Sequence, residues 1–509
     1  MTVEQRTPVA DAATPRRTPH HRVVVIGAGI AGVGLGVRLR QAGIEDFVIL
    51  ERNSSVGGTW FEHTYPGCGC DIPTHLYSYS FARNPRWTRL FPQQDEILEY
   101  VRRIADEYQV TPHIRFACEM EHSAWDEARG VWLIRSSEGE LTADVMVSAI
   151  GATAEPEEPD IPGLDSFGGH RFHSARWDHQ HDLVGERVAV IGTGPAAAQF
   201  VPRIQPQVDS LSVFQRTAPW VIPHFDRPVS RLERRLYKLL PAAQDIQRNA
   251  LFAIYEACGI GFRGRTELIA PIEALGRAHL RRQVSDPVLR RKLAPHYRFG
   301  CKRPILSNTY YPALAQDNVE VVCDPIAKVT RTAIVTRAGT RHPVDTIISA
   351  IGYRYNRSLL AHRIARSDGR TLGEVWNLSP RAYLGSAVPG FPNMFMLLGP
   401  NSIGINSVIF SLESQIQYVM SALATMRRRG IERVEVRPEA LEDFVSDVDR
   451  RSEGSVWTAG GCKAYYVDDT GRNFGLYPGF AADFRRRTRR FDPDAYSLGP
   501  IASADASAA

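Results

Sequence analysis

Cysteine is scarce in this chain, 7 in 509 residues, and the seven are scattered. An odd, widely spaced set argues against a disulfide scaffold. Cys68 and Cys70 have no second pair near them, so their spacing excludes a zinc site. No run of about twenty apolar residues occurs, so no stable membrane insertion is expected. The first twenty residues are rich in Ala, Pro, Thr and Arg and lack the apolar core of a secretion signal. They read as a disordered tail on a cytoplasmic protein. A strong charge is missing too. The formal net charge is +5, and much of the basic excess sits in one run, RRRTRR from Arg485 to Arg490. Such a run suits a solvated face better than a nucleic-acid site, and no nucleic-acid partner is expected.

What the chain does have is a globular composition, 43% hydrophobic and 23% charged, with length for two or three domains. It also has two glycine-rich turns of one kind. The first, VVVIGAGIAGVG, holds Gly27, Gly29 and Gly32 between an apolar strand and a helix. Phe47 to Leu50 then forms a second strand, closed by Glu51. Gly27 permits the tight turn, Gly29 lets a pyrophosphate approach, and Gly32 lets the helix pack on the sheet. Glu51 is placed to accept from a ribose hydroxyl pair. GGTW follows, with Gly58, Thr59 and Trp60, and then TYPGCGCD, ending at Asp71. Trp60 supplies a flat surface, and the continuing loop fits FAD better than NAD. Residues 91–107 read as a helix, and 131–134 and 145–150 as strands.

The second turn, VAVIGTGPAAAQ, places Gly192, Gly194 and Ala197 in the same pattern. Its second strand ends at Gln215, Arg216 and Thr217 instead of an acid, and a cation there suits the 2′-phosphate of NADP. Residues 225–300 break the strand–helix alternation with Arg-, Leu- and Ala-rich helices, a candidate lid. Lys302 and Arg303 follow beside Tyr310 and Tyr311, a candidate anion site. Two echoing turns, SAIGA and SAIGY, flank the second glycine-rich region. GPNS then places Asn401 near the start of a helix over residues 409–425. Residues 434–466 carry a diffuse signal.

The expected architecture is α/β, with two dinucleotide-binding Rossmann-like domains and a helical insertion. Residues 1–20 are a tail, 21–155 the first part of the FAD-binding domain, and 156–182 a linker. Residues 183–345 form the NADP-binding domain, including the insertion 225–300. Residues 346–495 return to the FAD-binding domain, and 496–509 are a C-terminal tail.

The linker carries FGGHRFHSARWD, from Phe167 to Asp178. It resembles F-x-G-x-x-x-H-x-x-x-W-[P/D], the fingerprint of type I Baeyer–Villiger monooxygenases within the class B flavoprotein monooxygenases. Phe167, Gly169, His173, Trp177 and Asp178 fill every position of it. The resemblance also covers both glycine-rich turns, GGTW, the YPG segment, GCKRP, SAIGY and GPNS, across about residues 22–492. It implies that Arg303 is catalytic and that Asp71 poises it. It implies further that Lys302 and Arg216 contact the NADP 2′-phosphate, and that His173 couples the linker to NADP binding. Two departures stand out: the loop reads YPGCGCD where many members have Ala and Arg, and Pro195 stands where Ser is frequent. The implied reaction inserts one atom of O2 beside a ketone carbonyl through an NADPH-reduced FAD C4a-peroxide. Ketone and O2 are the expected partners, in a monomer or homo-oligomer. Oxygenation of sulfur or nitrogen, an NADPH-dependent disulfide reductase, and a pure binding module are the alternatives.

Overall fold

Two runs of buried β-branched residues set the architecture. The structure is a computed structural model that describes residues 18–500. In the strand His20–Ile26, Val23, Val24 and Val25 are all 0% exposed, as parallel strands covered on both faces require. It pairs in parallel with Phe47–Leu50 on one side and Gly139–Ser148 on the other. Five further strands complete an eight-stranded sheet, with Met120–Asp126, Val131–Ser136 and Gly139–Ser148 as an antiparallel meander. The helix Ile30–Gln41 packs on this sheet and is itself covered by the long helix Val408–Arg429.

The second sheet has five parallel strands in the order Val319–Val322, Ser210–Phe214, Arg187–Ile191, Thr346–Ser349 and His170–His173. This order corrects two expected boundaries. Thr346–Ser349 is hydrogen bonded to Arg187–Ile191, so the return to the first domain starts after Ser349, not at 346. His170–His173, expected in a linker, is the edge strand of the same sheet.

The insertion folds into four helices, Arg231–Leu239, Pro241–Phe262, Ala270–Gln283 and Pro287–Lys292. The first starts with a reciprocal capping box between Ser230 and Glu233. Residues 434–466, diffuse in sequence, hold the helix Pro438–Ser452 and a short one, Val456–Ala459. The expected C-terminal tail begins with a strand: Tyr496–Gly499 pairs with Arg433–Val436, and Tyr496 is buried. The expected N-terminal tail falls on residues 1–17, outside the described residues, up to the strand that starts at His20.

Candidate active site

Both glycine-rich turns have room for a pyrophosphate. Gly27 (φ +102°) and Gly192 (φ +115°) hold the left-handed turn that a side chain resists. A Cβ on Gly32 would lie 1.9 Å from the Gly27 oxygen, so helix and turn touch there. At the middle glycines the protein leaves space. A Cβ on Gly29 would have no neighbour nearer than 3.6 Å, and on Gly194 none nearer than 4.0 Å. Protein packing does not demand glycine at these two positions; a ligand approaching the backbone does. Neither helix that follows has a side-chain cap or an acid in its first turn, so its leading amides are left to an anion. Ala197 is fully buried behind the second turn, and Pro195 sits at the helix start, where proline is tolerated.

Glu51 is buried and grips the first turn, accepting from the Ala28 amide at 2.7 Å and from the Asn53 amide and side chain at 2.8 Å. Burial pushes its pKa upward. Asn53 fills both lone pairs of Oε1, while Oε2, bonded only to the Ala28 amide, keeps one for a ribose hydroxyl. Gly58 caps the short helix Thr59–Glu62, and the Thr59 hydroxyl meets that of Thr153 at 2.7 Å. Trp60 differs from expectation. Its ring is buried, edge-on to Tyr77, with its N–H donated to the Tyr77 hydroxyl at 3.0 Å, so it is a core residue and not an open platform. Asn401 differs as well. It is fully buried and donates to the Asn473 and Leu476 carbonyls, while the helix behind it starts only at Val408, capped by Ser407. Its side chain braces a loop and is not free for a cofactor.

At the tip of the second domain Arg216 is exposed and Thr217 half-buried. Lys302 lies close enough that burial and the Arg216 charge both depress its pKa. Two cations that repel one another in this way would gain from an anion placed between them.

Asp71 and Arg303, 232 residues apart, form a two-pronged ion pair: Arg303 Nε donates to Asp71 Oδ2 at 2.8 Å and Nη2 donates to Oδ1. The Asp71 charge holds the guanidinium pKa well above its usual value, against the opposing effect of burial. The Arg303 side chain is 46% exposed, so its unused N–H groups remain reachable. Aromatic groups from distant segments surround the pair. Tyr465 stacks on Tyr355 at 4.5 Å, and the charge of Arg303 acts on it. Tyr255, on the insertion helix Pro241–Phe262, is within electrostatic reach of both Asp71 and Arg303. Sequence reasoning missed both tyrosines; no local pattern marks them.

Cys301, beside Lys302, is disulfide-bonded to Cys462, 161 residues on, a single bridge that the scattered cysteines did not announce. Cys68 and Cys70 are free and buried. Burial pushes the Cys68 thiol up to about 12 and raises Cys70 too, so neither is the thiolate that a disulfide reductase needs. Among the described residues no group of three or more His, Cys, Asp or Glu is placed to hold a metal. No helix there is long and apolar enough to cross a membrane.

The fingerprint lies where the two domains meet. Phe167 packs into the core of the second domain. A Cβ on Gly169 would strike the Asp345 oxygen at 2.1 Å. Trp177 packs on Phe172 and on Phe200 of the helix Pro195–Ile204. Asp178 pairs with His170 at 3.0 Å. His173 is buried; its Nδ1 accepts from the Ala175 amide at 3.0 Å, and its Nε2 has no hydrogen bond of full geometry, although the Gly352 carbonyl is near. Burial lowers its pKa to about 4, so the ring is neutral near pH 7. Its face meets Tyr353, which is bonded to His63. The Asp71 loop is tied to the second domain close by: Tyr65 donates to Gln199 at 2.8 Å, and Gln199 donates to the Gly69 carbonyl at 3.0 Å.

Two Rossmann-like domains, each with a pyrophosphate turn, define a flavoprotein oxidoreductase that draws electrons from a nicotinamide dinucleotide. Residues 24–233 match a family described as pyridine nucleotide-disulphide oxidoreductase. A Baeyer–Villiger monooxygenase of Streptomyces coelicolor is 45% identical over 481 residues, 94% of this chain and 93% of that one. Another, of Pseudomonas aeruginosa, is 42% identical over 95% of this chain and 93% of its own length. Among solved structures, oxidized steroid monooxygenase bound to NADP superposes with a TM-score of 0.82 at 30% identity, covering 94% of this chain and 99% of that one. The OTEMO complex with FAD and NADP gives 0.85 at 28% identity, covering 95% and 100%. The chain belongs to the type I Baeyer–Villiger monooxygenases of the class B flavoprotein monooxygenases, and FAD and NADP are its cofactors.

Proposed function

We propose that Arg303 and Asp71 are the working pair of a site that inserts one atom of O2 beside the carbonyl of a ketone. An ester or lactone forms, NADPH is oxidised, and the second oxygen atom leaves as water. FAD reduced by NADPH supplies the activated dioxygen. The observation that carries the reading is the Asp71–Arg303 pair itself. A guanidinium stays charged at any working pH, so it can hold an oxygen nucleophile in its anionic form and then the oxyanion of the adduct. Asp71 occupies Nε and one N–H of Nη2, fixing the plane of the fork, Tyr465 lies within hydrogen-bonding reach of the guanidinium, and the other donors are left for those oxygens. Tyr255, Tyr355 and Tyr465 supply aromatic surface beside the pair, against which an apolar ketone can rest.

Lys302 and Arg216 bind the 2′-phosphate and select NADPH. Glu51, Gly27, Gly29, Gly32, Gly58 and Thr59 hold FAD; Gly192, Gly194, Ala197 and Thr217 frame the NADP pyrophosphate. A cytoplasmic location suits the supply of NADPH.

The test is a panel of ketones and sulfides with NADPH and 18O2, read by product mass spectrometry in the native enzyme and in Arg303→Ala. One labelled oxygen in an ester, lost in the variant with FAD still bound, is expected. Ester formation unchanged in Arg303→Ala would sink the assignment. Sulfoxide as the only product would favour the heteroatom reading.

A further inference from the structure

The basic run RRRTRR has no part in the chemistry above, and the structure divides it. Arg486 donates to Asp483 at 2.5 Å and Arg487 to Asp447 at 2.5 Å, so these two are neutralised. Arg485, Arg489 and Arg490 have no carboxylate partner among the described residues. They line a cavity of about 640 Å³, together with Arg38. Its walls come from the end of Ile30–Gln41, from Val408–Arg429 and from Ala481–Arg487 with the two arginines that follow.

Two of these guanidiniums are held in place by rings. Arg38 lies over Phe81 at 4.3 Å and Arg485 over Phe410 at 4.3 Å. Stacking fixes the plane and leaves N–H groups to recognise phosphate oxygens: Arg485 keeps its whole edge, and Arg38 gives one N–H to Gln41 Oε1 at 2.7 Å and keeps the others. The one carboxylate in the lining, Glu413, is offset within the protein: its Oε1 accepts from the Ser80 amide and hydroxyl at 2.7 and 2.9 Å, and its Oε2, buried without a hydrogen bond, faces the Arg248 charge at 3.7 Å. The C-terminus of Ile30–Gln41 adds about half a negative charge, far less than four guanidiniums supply. Ser414 and Gln417 add hydrogen-bonding groups, and Met420 an apolar surface. The volume is that of a small-molecule site.

We infer that this cavity is a second anion site, for a small molecule of nucleotide size bearing two or three clustered phosphates. It is separate from both dinucleotide turns: the helix whose start faces the FAD turn ends here, 12 residues on, roughly 18 Å away, and no residue of the lining comes from the second domain. The inference does not depend on which substrate is oxygenated.

The experiment titrates inorganic tripolyphosphate, and separately ADP, into FAD-loaded enzyme saturated with NADP+, by calorimetry at low salt. Saturation with NADP+ removes the Arg216–Lys302 site from the measurement. Binding at one site is expected, with Arg489→Ala and Arg490→Ala each weakening it roughly tenfold. Arg486→Ala, whose guanidinium Asp483 already holds, should leave the affinity within about twofold. Melting temperatures report that each variant folds. Tighter binding of ADP marks a nucleotide as the source of the phosphates, and tighter binding of tripolyphosphate marks a free polyphosphate; both uphold the site. No binding, an unchanged affinity in Arg490→Ala, or an equal loss in Arg486→Ala overturns it. So does displacement of tripolyphosphate by a tighter-binding single-stranded oligonucleotide.

Discussion

The Tyr353 hydroxyl and the His63 Nε2 are hydrogen bonded at 2.9 Å across 290 residues of sequence. The rings stack at 5.5 Å, and His173 of the fingerprint meets Tyr353 in a T-shaped contact at 6.2 Å. His63 follows the GGTW helix of the first domain, Tyr353 lies in the turn that leaves the second sheet, and His173 ends its edge strand. Three short segments far apart in sequence therefore meet at one of the junctions between the flavin and NADP domains.

Removing the Tyr353 hydroxyl should loosen this junction without touching a reacting atom. Tyr353→Phe keeps the stack and loses one buried hydrogen bond, about 1 kcal/mol. FAD content should be unchanged, while NADPH oxidation that yields hydrogen peroxide instead of product should rise several-fold. Peroxide and product assayed side by side give the ratio. An unaltered ratio would mean that the contact is only structural.

NADPH selection should rest on Arg216 and Lys302. Burial and then the Arg216 charge depress the Lys302 pKa, and a phosphate bound between the two cations would offset both. Arg216→Ala should raise KM for NADPH roughly tenfold or more, with kcat at saturation nearly unchanged and KM for NADH hardly moved. An equal loss with both coenzymes would show that the side chain supports the fold and does not read the 2′-phosphate.

Much of the site is legible in the sequence because it is local. A tight turn needs its glycines in a fixed order, and a strand tip shows its acid (Glu51) or cation (Arg216) at a fixed offset. What is hidden depends on long-range pairing. Nothing within residues 346–349 says that they lie between 187–191 and 170–173, since parallel strands of different segments carry no mutual signature. Tyr255 and Tyr465 reach Arg303 only in the assembled fold, and Cys301 finds Cys462 the same way. Asn401 misleads for a related reason: its place after an apolar strand resembles a ligand-facing turn, but the partners that absorb its side chain lie 72 and 75 residues on.

Stability should fall as pH drops from about 6.5 toward 4. His63, His75 and His173 are buried, and desolvation sets each pKa at about 4 against an ordinary 6.5. The unfolded chain therefore binds protons in this window that the folded chain refuses. Their contribution is full above pH 6.5 and is lost as pH falls through the folded values, with an upper bound of about 3.4 kcal/mol for each ring. Urea midpoints at pH 7.5 and 5.5, before most carboxylates titrate, measure the effect. His173→Gln should flatten the slope, and an identical slope in that variant would assign the loss to other groups.

The Cys301–Cys462 bond fixes the backbone immediately before Lys302 and Arg303 to the segment that carries Tyr465. Both cysteines stand among Trp220, Phe299, Trp457 and Tyr466, and the Tyr466 hydroxyl donates to the Cys301 carbonyl. The loop closed by the bond is long, so breaking it should release substantial entropy to the unfolded chain, typically 2–4 kcal/mol of stability. Hydrogen bonding and packing around Cys301 remain when the bond is opened, and they hold Arg303 against Asp71 independently. Cys462→Ser should therefore lower the melting temperature by several degrees while leaving product formation at 25 °C within about twofold. A reductant should lower the melting temperature of the native enzyme equally and leave the variant unmoved. Loss of activity in step with the bond, at temperatures where the protein stays folded, would instead make the disulfide part of the machinery that positions Arg303.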